Sequence, residues 1–121
     1  MLECMQEALQ RLRKERPVIL NITNYVSMDF LANCFLAIGA SPIMSVSDLE
    51  LEELIELSSA VYINIGTLDH LFIQRAYRTV DLAVRQNKPV IFDSVAAGVT
   101  KIRTEVSQSL TDPCDNRSRK C

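Results

Sequence analysis

The chain has 121 residues, and its 13 basic and 15 acidic side chains give a formal net charge of −2. Nucleic acids and anionic membranes attract strongly positive proteins, so this charge argues against both as partners. Hydrophobic residues make up 48% of the chain and charged residues 23%, which excludes intrinsic disorder and fits one globular domain. The N-terminal segment lacks the apolar core of a secretory signal, and no apolar run reaches the roughly 20 residues of a membrane helix. We therefore expect a cytoplasmic protein without a membrane span.

The first part of the sequence alternates between helical and strand patterns. Apolar residues near the N-terminus recur at helical spacing and predict a first helix that ends near Arg16, before Pro17. An apolar run at residues 18–20 predicts a buried strand that leads into a loop at residues 21–24. Apolar residues between 26 and 38 fall on one helical face, which predicts a tightly packed second helix ended by Gly39.

The rest of the chain continues this alternation. Strands are predicted at residues 41–44, 60–65 and 90–92, and helices at about residues 68–85 and 104–110. Ser47 and Glu50 have the spacing of a capping box, which predicts that a third helix opens there and runs through Leu57. This order predicts an α/β fold with a mainly parallel sheet, right-handed crossovers and flanking helices.

Small and polar residues follow the predicted strands. In open parallel sheets, ligands bind beyond the carboxyl ends of the strands, so these residues should converge on one edge. The groups are the amides of Asn21, Asn24 and Asn64, backbone N–H groups near Met44 and Gly66, and the carboxylate of Asp93. They suit a small polar heterocycle better than a charged polymer. The same residue types also cap helices and turns, so a purely structural role stays open.

The cysteines and the histidine do not indicate a metal or redox site. The spacing of Cys4, Cys34, Cys114 and Cys121 matches neither paired zinc ligands nor a C-x-x-C motif. We expect Cys4 and Cys34 to be thiols of the core. His70 should lie on the surface in the first turn of a helix, since no second histidine can join it in a metal site.

Five short motifs mark these strand and helix ends. They read Asn-Ile-Thr-Asn-Tyr-Val at residues 21–26, Ala-Asn at 32–33, Gly-Ala-Ser-Pro-Ile-Met at 39–44, Ile-Asn-Ile-Gly-Thr at 63–67 and Asp-Ser-Val-Ala-Ala-Gly at 93–98. Their order and spacing resemble the N-terminal half of the hydroxyethylthiazole kinase family. The resemblance implies a truncated ribokinase-like three-layer fold. It also implies ATP-dependent phosphorylation of 4-methyl-5-(2-hydroxyethyl)thiazole in thiamine biosynthesis and salvage, with Mg²⁺ as cofactor.

The resemblance also implies roles for four residues. Asn24, Met44 and Gly66 would help hold the thiazole alcohol, in a pocket between neighbouring subunits of a homotrimer. Asp93 would hold Mg²⁺ near the ATP phosphates. The alternatives are core packing for Met44 and helix capping for Asp93. No catalytic or ATP-binding residue is identified, because the family's anion hole and catalytic cysteine come far downstream.

The loop after Asp93 departs from the family pattern, which usually reads Asp-Pro-Val-Gly-Ala-Gly. Ser94 lacks the fixed φ of proline, and Ala96 disfavours a positive φ that glycine would allow. Both changes bear on the geometry of the metal site.

The last residues of the chain abandon the apolar periodicity. We divide the chain into residues 1–110, the N-terminal part of one kinase domain, and residues 111–121, an aberrant tail. A one-nucleotide shift of residues 113–121 can encode Pro-Val-Thr-Ile-Val-Arg-Gly-Asn, a strand followed by the family's Arg-Gly-Asn. A frameshift is therefore our hypothesis for the tail, and sequencing of the DNA tests it.

Three functional interpretations remain open at this point. The first is a hydroxyethylthiazole kinase that is inactive as this truncated chain. The second is a non-catalytic pseudogene fragment or a remnant that binds thiazole or oligomerises. The third is another vitamin kinase of the same fold.

Overall fold

Helices and strands alternate throughout residues 1–112, which are the residues that the computed structural model describes. The elements are α1 (Leu2–Glu15), β1 (Val18–Ile22), α2 (Met28–Ile38), β2 (Ser41–Met44), α3 (Leu51–Leu57), β3 (Ala60–Asn64), α4 (His70–Arg85), β4 (Val90–Asp93) and α5 (Lys101–Thr111). The predicted α/β class is confirmed. Cys114, Cys121 and most of the predicted aberrant tail lie outside the described residues.

The four strands form one sheet in the order β2-β1-β3-β4. Every neighbouring pair is parallel, as predicted. Strand β2 forms one edge of this sheet and β4 forms the other.

The core lies on one face of the sheet, beneath α3, α4 and α5. Leu20, Ile22, Val61 and Ile63 point into this face from the two central strands, and each is at most 1% exposed. Leu51 and Ile55 of α3 are completely buried in the same cluster. The remaining buried members of the cluster are Ile65, Phe72, Ala76, Val80, Leu82, Ala83, Val106 and Leu110.

The opposite face of the sheet is covered by α2, and α1 packs against α2. The ring of Phe35 meets that of Tyr62 edge to face, with the ring centroids 5.8 Å apart. Neither helix contains a fully buried residue, and Phe30 of α2 remains 70% exposed. The prediction of a tightly packed second helix is therefore wrong, because α2 is apolar around much of its circumference while the described chain covers only part of it.

Both cysteines of these outer helices are exposed thiols. The prediction that Cys4 and Cys34 belong to the core is wrong for the same physical reason, because α1 and α2 bury no residue completely. His70 is exposed in the first turn of α4, as predicted.

The third helix begins later than predicted. It starts at Leu51, and its N-cap residue, Glu50, makes no side-chain capping bond. The Glu50 carboxylate instead accepts a hydrogen bond from the hydroxyl of Ser45, and Ser47 accepts one from the N–H of Leu49 at 3.3 Å. The predicted capping box is therefore wrong, because these side chains stabilise the preceding turn.

The described residues contain no helix that is both long and apolar enough to cross a membrane.

Candidate functional site

A row of side chains crosses the sheet on the face opposite the core, at the carboxyl ends of the strands. The parallel register aligns Met44 with Asn21, Asn21 with Tyr62, and Tyr62 with Ile91. Two residues further on, the register aligns Asn64 with Asp93. Residues two apart on a strand share a face, so Tyr62, Asn64 and Asp93 form one polar cluster.

The carboxylate of Asp93 is anchored through one oxygen. The hydroxyl of Tyr62 donates a hydrogen bond to Asp93 Oδ2 at 2.9 Å, and Asn64 Nδ2 donates to the same oxygen at 3.0 Å. Within residues 1–112, no hydrogen bond to the other oxygen, Oδ1, is present. The side chain is thus fixed in orientation while one oxygen stays available to a ligand.

The Tyr62 phenol is kept in its neutral form by this environment. Burial raises its pKa above the ordinary value of 10.0, and the hydrogen bond to Asp93 and the Asp93 charge raise it further. The contact with Asn64 opposes this by lowering the pKa. A neutral phenol is the form that can donate to the carboxylate, so Tyr62 acts as a hydrogen-bond donor at ordinary pH.

Gly66 lies where two asparagine side chains come close to the backbone. Its N–H donates to Asn64 Oδ1 at 2.8 Å. A Cβ at position 66 would lie 2.8 Å from Asn64 Oδ1 and 3.1 Å from Asn24 Nδ2, so a larger residue would displace these amide groups. The structure thereby brings three predicted site residues, Asn24, Gly66 and Asp93, together around Asn64.

Asn24 is held in place by its own loop. Its Oδ1 accepts hydrogen bonds from the N–H groups of Val26 at 3.0 Å and Ser27 at 3.2 Å. This leaves the Nδ2 group, which faces Gly66, as the donor that the side chain can offer to a ligand.

The guanidinium of Arg103 joins the loops that follow β3 and β4. It donates to the carbonyl oxygens of Ile65 at 2.7 Å, Gly66 at 2.8 Å and Val95 at 3.1 Å.

The sequence interpretation missed both Arg103 and Tyr62. A cation in the first turn of a helix opposes the helix dipole, which was an available signal for Arg103. The two-residue spacing from Asn64 was the signal for Tyr62.

In the loop after Asp93, the backbone of Ala96 is left-handed. Ala96 has φ +59° and Gly98 has φ +89°. The turn is closed by hydrogen bonds from Ala97 N to Ser94 O at 3.0 Å and from Val99 N to Ala96 O at 3.1 Å. Ala96 therefore adopts the conformation that an L-residue disfavours, and the loop carries local strain.

Two other predicted residues, Asn21 and Met44, lie in the same row as Tyr62 but take no part in the hydrogen bonds of the polar cluster. Asn21 belongs to β1, is 0% exposed, and donates to the carbonyl oxygens of Ile19 at 2.8 Å and Ile43 at 3.4 Å. The prediction that Asn21 lies in a ligand loop is wrong, because β1 extends to Ile22. Met44 is half-buried beside Asn21 on β2, two strands away from Asn64.

A cavity of about 250 Å³ opens next to Asn24. Its lining consists of Thr23, Asn24, Tyr25, Val26, Val46, Thr67, Asp69, Leu71, Phe72 and Arg75. Asp69 accepts a hydrogen bond from Phe72 N at 2.8 Å as the N-cap of α4, and Arg75 Nε lies 3.5 Å from Asp48 Oδ1. Asp69 thus has a capping partner, whereas Arg75 Nε is buried and forms an ion pair with Asp48 without a hydrogen bond. Asn24 lines the cavity and also lies beside Gly66, next to the polar cluster, whereas Met44, Gly66 and Asp93 are not part of the cavity lining.

A metal ion would find few protein ligands at this edge. Residues 1–112 contain no group of three or more His, Cys, Asp or Glu side chains placed to bind a metal. Asp93 Oδ1 is the carboxylate oxygen that the polar cluster leaves open. Mg²⁺ commonly takes one or two protein carboxylates together with water and substrate phosphates, so this donor set fits Mg²⁺ in the presence of a nucleotide.

A parallel sheet with polar side chains at the carboxyl ends of its strands is the arrangement typical of ligand-binding α/β proteins. The profile of the hydroxyethylthiazole kinase family matches residues 9–115, so the chain belongs to that family. This confirms the resemblance seen in the motifs.

Individual relatives agree with this assignment. The chain is 94% identical over 110 residues to the hydroxyethylthiazole kinase of Chlamydia abortus, and this match covers 91% of the chain and 42% of the relative. Identity to the hydroxyethylthiazole kinase of Pyrococcus abyssi is 47% over 106 residues, covering 88% of the chain and 40% of the relative. The solved hydroxyethylthiazole kinase structure from Pyrococcus horikoshii has a TM-score of 0.87 and 46% identity, covering 89% of this chain and 42% of that one. The chain thus spans about two fifths of the length of these relatives.

Proposed function

We propose that this chain carries the thiazole-alcohol side of a hydroxyethylthiazole kinase. The reaction is transfer of the γ-phosphoryl group of ATP to the hydroxyl of 4-methyl-5-(2-hydroxyethyl)thiazole. The observation that carries the proposal is the cluster of Asn24, Asn64, Gly66 and Asp93 beside an apolar cavity of about 250 Å³ at the ligand-binding edge.

The chemistry of this edge suits a small, uncharged heterocyclic alcohol. Such a ligand needs apolar walls and a few placed hydrogen bonds. Asn24 Nδ2 supplies a donor, and Gly66 allows the backbone to approach closely. In this proposal Met44 adds an adaptable thioether contact to the ring.

Asp93 is proposed to hold Mg²⁺ through its open Oδ1. When bound, the ion neutralises part of the charge on the ATP phosphates. Tyr62 and Asn64 orient the carboxylate by holding Oδ2. Their role is to keep the metal-binding oxygen in a fixed position before the nucleotide arrives.

The pocket is proposed to be completed by a neighbouring subunit of a homotrimer. Tyr25 and Val26 line the cavity and are 80% and 88% exposed, and Leu71 on the other wall is 66% exposed. Large apolar side chains that remain open beside a cavity are typical of a protein interface.

Catalytic turnover requires more than this part of the fold. Phosphoryl transfer depends on preorganised N–H groups or cations at the transferred phosphate. We have assigned no such group within residues 1–112. We therefore propose that the 121-residue chain binds the thiazole alcohol but does not phosphorylate it on its own.

Thermal unfolding with and without the thiazole alcohol tests the binding proposal. A ligand that binds only the native state should raise the unfolding midpoint by roughly 10 °C at about 100 times Kd. Asn24→Asp keeps the Oδ1 acceptor of the loop but replaces the Nδ2 donor, so it should abolish this shift.

Asn33→Asp is the matched control. Asn33 is exposed on α2, and its substitution by Asp adds the same negative charge as Asn24→Asp. It should keep the ligand-induced shift. Absence of any shift in the unmodified chain would contradict the proposal.

A further inference from the structure

The side chain of Arg103 bonds to two loops rather than to its own helix. Its guanidinium donates to the carbonyl oxygens of Ile65 and Gly66, which follow β3, and of Val95, which follows β4. The side chain is half-buried, and the ion pairs of the described residues do not include it. A charged donor makes stronger hydrogen bonds than a neutral one, so the charge of Arg103 acts on these three carbonyl groups.

Helix α5 does not need these contacts to stay in place. Val106 and Leu110 pack α5 into the core and are 2% and 6% exposed. The hydroxyl of Thr100 caps the helix by accepting a hydrogen bond from Arg103 N at 3.3 Å. A positive charge in the first turn opposes the helix dipole, so this placement of Arg103 costs the helix some stability. The contacts therefore position the loops, and α5 supports them.

The contacts of Arg103 close a ring around the polar cluster. The carbonyl oxygen of Gly66 accepts from Arg103 at 2.8 Å, and the N–H of Gly66 donates to Asn64 Oδ1 at 2.8 Å. Asn64 Nδ2 donates to Asp93 Oδ2 at 3.0 Å. Two residues after Asp93, the carbonyl oxygen of Val95 accepts from Arg103 at 3.1 Å. Gly66 and Asp93 are therefore joined twice beyond the strand ends, through the amide of Asn64 and through the guanidinium of Arg103.

We propose that Arg103 is a positioning residue for the thiazole alcohol. By bonding to both loops, its guanidinium holds Gly66 at the distance from Asp93 that the ligand requires, and it acts through the Gly66 backbone without touching the ligand. The proposal rests on the proposed function, since it takes this edge as the thiazole site. A guanidinium suits the role because its N–H donors form a rigid planar fork, whereas the ammonium of lysine is one compact charge.

Calorimetric titration of the 121-residue chain with the thiazole alcohol tests the proposal. Arg103→Met removes the contacts to both loops and should weaken binding by about tenfold or more. Arg103→Lys keeps the charge but loses the fork, so it should weaken binding as well. Circular dichroism checks that the variants are folded, and the milder Arg103→Lys provides the comparison if Arg103→Met unfolds.

Lys101→Met is the matched control. Lys101 lies in the same first turn of α5, its side chain is 90% exposed, and its substitution removes the same positive charge. Its contact is an ion pair with Glu105 at 3.7 Å, within the helix. Lys101→Met should therefore leave thiazole binding unchanged.

Amide hydrogen exchange in the ligand-free chain separates positioning from general stability. The N–H of Ile65 donates to Asp93 O at 3.3 Å at the site end of the β3–β4 pair, and the N–H of Val61 donates to Pro89 O at 2.9 Å at the other end. Arg103→Met should release the site end alone and speed exchange at Ile65 by about tenfold relative to Val61. A purely structural role would speed both amides by the same factor, through global unfolding.

Three results would overturn this proposal alone. The first is thiazole binding that Arg103→Met leaves as tight as in the unmodified chain. The second is binding that Arg103→Lys preserves in full, which would assign the effect to charge. The third is equal acceleration of exchange at Ile65 and Val61. Absence of binding by the unmodified chain would instead overturn the proposed function, and this proposal with it.

Discussion

At the residue scale, Tyr62 links the protonation of the site to the stability of the fold. Its pKa is raised in the folded state, chiefly by burial. The phenol is neutral in both states well below pH 10. As the pH rises past 10, the unfolded chain ionises first, and the stability that Tyr62 contributes is lost as the pH passes through the raised pKa.

We predict that an alkaline titration of the folded chain shows a late component, above the ordinary tyrosine pKa of 10.0, that belongs to Tyr62. Ultraviolet absorbance during an alkaline titration measures this directly. Tyr62→Phe should remove the late component, whereas Tyr25→Phe, which changes a residue that is 80% exposed, should retain it. A late component that survives Tyr62→Phe would show that another phenol is responsible.

The strained loop after Asp93 gives a second prediction at this scale. Ala96 has φ +59°, so Ala96→Gly should raise the free energy of unfolding by about 1 kcal/mol as the steric cost disappears. Urea unfolding measures the change. Ala97 is not among the residues with positive φ, so Ala97→Gly should give no gain. Equal effects of the two substitutions would contradict the strain assigned to Ala96.

At the element scale, Gly39 controls how α1 approaches the end of α2. It has φ +105°, and a Cβ there would lie 2.7 Å from Arg13 Cγ and 2.9 Å from Arg13 Cα. A left-handed alanine alone is expected to cost about 1–2 kcal/mol. Gly39→Ala should lower the free energy of unfolding by more than this, because the added Cβ also collides with Arg13.

Gly98→Ala is the matched control for the close approach. Gly98 also has a positive φ, of +89°, but a Cβ there would meet nothing within 4 Å. Urea unfolding of the two variants separates backbone strain from the collision with α1. If both variants lose a similar free energy of unfolding, α1 moves freely away from position 39.

The elements themselves were largely predictable, because short-range patterns determine them. Apolar runs between helical segments located β1 to β4, and Gly39 does end α2 in a left-handed conformation. Burial was less predictable. The apolar residues of α2 predicted a packed face, but periodicity cannot show how much chain is available to cover it.

Part of the candidate site was also predictable. The motifs identified Asn24, Gly66 and Asp93, which the fold does bring together. Tyr62 and Arg103 were missed because their contacts join residues far apart in sequence. Ser47 and Glu50 matched a capping box, yet a competing contact with Ser45 moved the start of α3.

At the scale of the whole molecule, the described residues form a four-stranded sheet with two unequal faces. The face beneath α3, α4 and α5 holds the buried core, whereas the opposite face holds the polar cluster and the partly exposed α2. The β4 edge and the open wall of the cavity lie at different places on this framework.

The measurement that tests the central claim most directly is an NMR titration of the 13.6 kDa chain with the thiazole alcohol. Amide signals of Asn24 and Gly66 and the methyl signal of Met44 should shift and saturate together, while signals of α1 should stay unchanged. Saturating shifts confined to other parts of the chain, or no shifts at all, would contradict the assignment of the thiazole site to this edge of the sheet.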